Sequence, residues 1–67
     1  MLLEVNMKNL GRNKINETLH VTSIEAMYRK VSLVLMDEPF EVIKVDGVYS
    51  VVQGSDIVGT LEIKVIS

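Results

Sequence analysis

Asp46-Gly47, set between Val45 and Val48, constrains this chain more than any other pair of residues. A two-residue hairpin turn of type I′ needs positive φ at both central positions, and Asp-Gly accepts that geometry with little strain. A two-residue loop also fixes a register. Val45 must face Val48, Ile43 must face Ser50, and Glu41 must face Val52. Gly54-Ser55 repeats the arrangement one strand later. It places Val52 opposite Ile57, Ser50 opposite Gly59 and Val48 opposite Leu61. Residues 40–66 are therefore expected to form a three-stranded antiparallel meander.

Cross-strand partners share a sheet face. In this register one face carries Ile43, Val45, Val48, Val52, Ile57, Leu61, Ile63 and Val65. It is almost wholly apolar and is expected to be the core face. Ser50 and Gly59 would leave a hollow there for a large helix side chain, Tyr28 or Met27. The other face carries Phe40, Val42, Lys44, Tyr49, Val51, Val58, Thr60, Glu62 and Lys64. A solvated face should be mainly polar, yet Phe40, Val42, Tyr49, Val51 and Val58 would form a contiguous patch. Those five residues are the candidate protein interface. The competing expectation is that the N-terminal residues cover them.

The front of the chain reads as a second hairpin. Leu3, Val5 and Met7 alternate with Glu4, Asn6 and Lys8, and Leu19 and Val21 alternate with Thr18, His20 and Thr22. This period of two predicts strands over 2–8 and 15–21, joined by a tip rich in turn formers, Asn9, Gly11 and Asn13. Thr22-Ser23-Ile24-Glu25 fits a capping box led by Thr22. Ile24, Met27, Tyr28, Val31 and Leu35 then lie on one helical face, predicting a helix over 23–36 that ends before Pro39. The run from Val31 to Met36 is apolar enough for the alternative, a shorter helix followed by a strand. The expected fold is a small single α+β domain of order β-β-α-β-β-β, one helix on a mainly antiparallel sheet.

A chain of 67 residues has room for one domain and little core. Small domains often gain stability from disulfides, a metal or a partner subunit. There is no cysteine, and His20 is the only histidine, so neither a disulfide nor a structural zinc site is expected. Self-association, most simply a homodimer, is the expected remedy. Residues 1–36 carry five bases against three acids, and residues 37–67 two bases against six acids. The two halves would complement each other across a dimer. The N-terminus lacks the apolar run of a signal peptide, and no segment approaches a membrane span, so a cytoplasmic protein without membrane contact is expected.

No motif points to catalysis or to a cofactor. His20 has no partner at a telling spacing. Asp37 and Glu38 read as a solvated helix exit, and Asp46 and Asp56 as turn residues. Gly47, Gly54 and Gly59 are separated by strands and form no phosphate loop. Lys8, Arg12 and Lys14, with Asn9 and Asn13, put three positive charges on the hairpin tip, a candidate nucleic-acid contact that Arg29 and Lys30 would extend. The leading expectation is a non-enzymatic protein-interaction module, a small dimeric regulator or inhibitor of the kind phages and mobile elements carry as accessory proteins. The alternative is a nucleic-acid-binding regulator that uses the basic tip at residues 8–14.

Overall fold

The computed structural model describes residues 1–67. Strands β1 (Leu3–Leu10) and β2 (Ile15–Val21) precede helix α1 (Ile24–Val34), and β3 (Glu41–Val45), β4 (Val48–Gln53) and β5 (Asp56–Val65) follow it. The β-β-α-β-β-β order and the α+β class are those expected from the sequence. All pairings are antiparallel, and the five strands form one sheet in the order β2-β1-β5-β4-β3. The N-terminal hairpin therefore covers neither face of the meander. It extends the sheet, with β1 beside β5.

The first turn behaves as its residues dictate. Asp46 and Gly47 have φ of 50° and 80°. Glu41, Ile43 and Val45 face Val52, Ser50 and Val48, the register expected. The second hairpin starts as expected, with Gln53 opposite Asp56 and Val52 opposite Ile57. Then it slips. Val51 faces Gly59, Ser50 faces Thr60 and Tyr49 faces Leu61. Val58 is the extra residue of a β-bulge, and its carbonyl accepts a hydrogen bond from the Gly11 amide at 2.9 Å. Side chains alternate with a period of two, so a one-residue slip exchanges the faces. Leu61, Ile63 and Val65 thus join Tyr49 and Val51, not Val48 and Val52.

A second irregularity lies on the neighbouring strand. The β1 register breaks between Met7 and Leu10, where Asn9 has a φ of 53°. The break brings Leu10 into the core with Leu3, Val5 and Met7. Asn16 holds the tip: its Oδ1 accepts from the Asn9 amide at 3.3 Å, and its Nδ2 donates to the Lys14 carbonyl at 2.9 Å. Leu10 packs directly on Gly59. A Cβ at Gly59 would stand 2.7 Å from Leu10 Cδ1 and 2.8 Å from Leu10 Cα. The hollow foreseen at Ser50 and Gly59 therefore exists at Gly59 alone, and Leu10 fills it instead of Tyr28 or Met27. Ser50 points to the opposite face.

The helix lies across the Leu3, Val5 and Met7 face. Its buried residues Met27 and Val31, with Leu35 at the C-cap, pack with Val21, Val51 and Leu61. The cap is Ser23, one residue later than the capping box implied; its Oγ accepts from the Ala26 amide at 3.1 Å. The helix runs through Val31–Val34, so this segment is not a strand. It stops two residues short of Met36 because Met36 and Asp37 take positive φ, 58° and 59°. The Asp37 amide donates to the Ser32 carbonyl at 2.8 Å, and the Ser32 hydroxyl donates to Asp37 Oδ1 at 3.2 Å. These bonds satisfy groups at the helix end that have no partner within it.

Gly59→Ala tests the bulge contact. The added methyl has backbone against it, so relaxation must move a strand. We expect destabilisation of about 1–3 kcal/mol, as for overpacked cores, measured as a lowered urea midpoint with an unchanged slope. An unaltered midpoint would mean that β1 and β5 do not approach this closely.

Candidate functional site

The slip at Val58 decides which sheet face is free. Val51, expected at a protein interface, is fully buried beneath the helix. Phe40, Val42, Tyr49 and Val58, expected beside it, are half-buried and pack against the same core. The Phe40 ring stacks on Tyr28 of the helix at 5.8 Å between centroids. Lys44 lays its ammonium 5.5 Å from the centre of the Tyr49 ring. The five-residue patch is thus inner surface. Its expected exposure rested on carrying Val48 opposite Leu61 through a bulge.

The opposite, outer face is free, and it contains residues that the sequence assigned to the core. Ile43, Val45, Val48 and Ile57 are 42%, 45%, 45% and 63% exposed, and Val52 between them is half-buried. Cross-strand pairs Val45–Val48 and Val52–Ile57 tie these residues into one patch over β3, β4 and the start of β5. Ser50 sits at its floor, only 5% exposed, opposite Ile43. Glu41, Asp46 and Asp56 stand at its ends. The outer face of β1 and of the rest of β5 is different in kind. Lys8 Nζ and Glu62 Oε2 are 3.2 Å apart, and His20 Nε2 and Glu4 Oε1 are 3.5 Å apart. One face therefore has a polar half and an apolar half.

A second apolar opening flanks the helix N-terminus. Ile24, Met27 and Tyr28 face Val42, Tyr49, Ile63 and Val65 across a cleft of about 350 Å³. Leu33 and Met36, off the buried helix stripe, are also exposed.

The basic tip is less concentrated than the sequence suggested. Lys8 belongs to the outer face and is engaged by Glu62. Arg12 borders a shallow cleft with Val34, Met36 and Glu38, at the C-terminal end of the helix. Lys14 is exposed, with a φ of 48°. Of the three bases only Lys8 has a carboxylate within ion-pair distance. No three His, Asp or Glu side chains gather closely enough to hold a metal ion. No helix is long and apolar enough to cross a membrane. No family model matches the chain, and no curated protein or solved structure matches it significantly.

Lysine scanning separates the two faces. Val51→Lys puts an unpaired charge in the core and is expected to unfold the protein, read by circular dichroism. Val48→Lys, on the outer face, is expected to keep the native spectrum and to shift stability by no more than ~0.5 kcal/mol, the range for surface changes. The reverse pattern would place the helix on the other side of the sheet.

Proposed function

We propose that this protein is a non-enzymatic interaction module, a small dimeric regulator or inhibitor that works in the cytoplasm by binding another protein. One observation carries the reading: the apolar half of the outer sheet face, formed by Ile43, Val45, Val48, Val52 and Ile57. Apolar groups grouped on a flat sheet, with polar groups around them, have the anatomy of a protein contact. The bordering acids, Glu41, Asp46 and Asp56, favour a partner whose own apolar centre is edged by lysine or arginine. Neither His20, 3.5 Å from Glu4 and half-exposed, nor the tyrosines stand in an arrangement that would activate a nucleophile.

Nucleic-acid binding through Lys8, Arg12 and Lys14 is the weaker reading. Binding that rests on phosphate contacts needs several unopposed bases on one surface. Here Glu62 stands 3.2 Å from Lys8, which leaves only Arg12 and Lys14 unopposed.

The proposal is tested by affinity isolation of protein partners with wild type and with the double variant Val48→Lys/Ile57→Lys. The variant should fold normally and lose the partner that wild type retains. A partner that the folded variant holds equally well would remove the outer face from the contact. DNA titrations add a second check. We expect no binding at moderate salt. An affinity that falls steeply with salt and is abolished by alanine at Lys8, Arg12 and Lys14 would favour the nucleic-acid reading.

A further inference from the structure

We propose that β3 is the edge through which two copies of this chain join. Their β3 strands pair antiparallel with Ile43 on the two-fold axis and extend the five-stranded sheet to twice its width. The inference rests on the dimeric reading above and deepens it by naming the edge and the register.

The free edge follows from the strand order, in which β3 is last. A two-residue turn makes Val45 and Val48 a hydrogen-bonded pair, and such pairs alternate along an antiparallel ladder. Ile43 and Glu41 therefore also spend their amides and carbonyls on β4. The N–H and C=O of Val42 and Lys44 point away from the sheet. A second strand laid along β3 must bond to these groups.

Symmetry leaves three close registers. In an isologous pairing, directly opposite residues must lie on the same face. The axis can then pass through Val42, Ile43 or Lys44. An axis through Lys44 sets two ammonium groups directly opposite each other, which is unfavourable. An axis through Val42 places Lys44 opposite the partner's Phe40, a residue outside the strand. An axis through Ile43 matches Val42 to the partner's Lys44 on both sides of the axis, so every outward group within β3 is used. It also sets Glu41 opposite the partner's Val45, with no like charges opposed.

Edge strands are commonly guarded against such pairing by lysine. The only lysine of β3 is Lys44, and its ammonium is folded back over the Tyr49 ring of β4, 5.5 Å from the centroid. The edge is left open. The other edge strand, β2, presents Asn16, Glu17, Thr18 and His20, all exposed, and has no comparable apolar character. Pairing through β3 also makes Ile43, Val45 and Val48 of both copies continuous across the axis, enlarging the outer apolar surface proposed for partner binding.

The chain has no cysteine, so single-thiol variants report the register directly. At a non-hydrogen-bonded antiparallel pair the Cα atoms are about 4.5 Å apart, within disulfide reach. Ile43→Cys should therefore become a covalent dimer on mild oxidation and keep its native spectrum. The two copies of Val48 would be three strand spacings apart across the sheet and four residues apart along it, roughly 20 Å in all, so Val48→Cys should stay uncrosslinked. Lys44→Pro removes one outward N–H and no bond within the chain; it should sediment as a folded monomer where wild type is a dimer. A dimeric wild type with neither Ile43→Cys crosslinking nor monomeric Lys44→Pro overturns β3 pairing and leaves the dimeric reading standing. A wild type that remains monomeric at millimolar concentration overturns both. If Lys44→Pro fails to fold, crosslinking at Ile43→Cys against Val48→Cys decides alone.

Discussion

The contact of Leu10 with Gly59 is what the rest of the structure depends on. Two strands that each carry one irregular residue meet there, β1 at Lys8-Asn9 and β5 at Val58. Without a bulge in β1, Leu10 would point to the outer face. Without one in β5, Tyr49 and Val51 would leave the face on which Leu61 and Ile63 pair with Met7 and Val5. The two irregularities together keep all these side chains on one side of the sheet. They also require that residue 59 have no Cβ, because the backbone of Leu10 occupies that space. The Gly11 amide bonded to the Val58 carbonyl fixes the pair of bulges in place.

This contact also marks the limit of what the sequence could tell. The turn at Asp46-Gly47 gave the β3–β4 register, because residue chemistry and loop length both act locally. The helix was legible because its stripe of Met27, Val31 and Leu35 needs no knowledge of the sheet. The helix covers the sheet face opposite to the one the sequence pattern points to. β4 reads Val-Tyr-Ser-Val-Val and is apolar on both sides, so it carries no parity signal. Only β5 carries one, and its alternation is clean from Gly59 onward, where Leu61, Ile63 and Val65 alternate with Thr60, Glu62 and Lys64. Ile57 is in phase with that series by number and out of phase in space. A hint did exist: Leu10 falls off the odd-numbered series of Leu3, Val5 and Met7, which is what a bulge in β1 would produce. Phe40, Val42, Tyr49, Val51 and Val58 lie on the inner face for the same reason.

The helix boundaries moved for smaller reasons. Ser23 and Thr22 are both competent caps, and the choice depends on where the chain leaves β2. At the other end, the β-branched and leucine-rich run was compatible with either element. The return bonds from Asp37 to Ser32 close the helix before Met36, and positive φ at Met36 and Asp37 turns the chain toward β3.

The apolar outer patch follows from a shortage of covering elements. Five strands at a spacing of about 4.8 Å span nearly 20 Å, whereas one helix with its side chains is about 10 Å across. The helix shields β1, β5 and part of β2. The stacked rings of Tyr28 and Phe40 lie on that same side of the sheet, and nothing remains for the far side. A chain with that shortage can make its uncovered face polar, and over β1 and most of β5 it does so with Glu4, Asn6, Lys8, Thr60, Glu62 and Lys64. β-propensity alone does not explain why β3 and β4 differ. Threonine favours strands about as well as valine and would be soluble at the same positions. Isoleucine and valine at Ile43, Val45, Val48, Val52 and Ile57 instead retain apolar surface on a face the chain cannot cover itself. That retention is the physical argument for reading the patch as a contact that another chain completes.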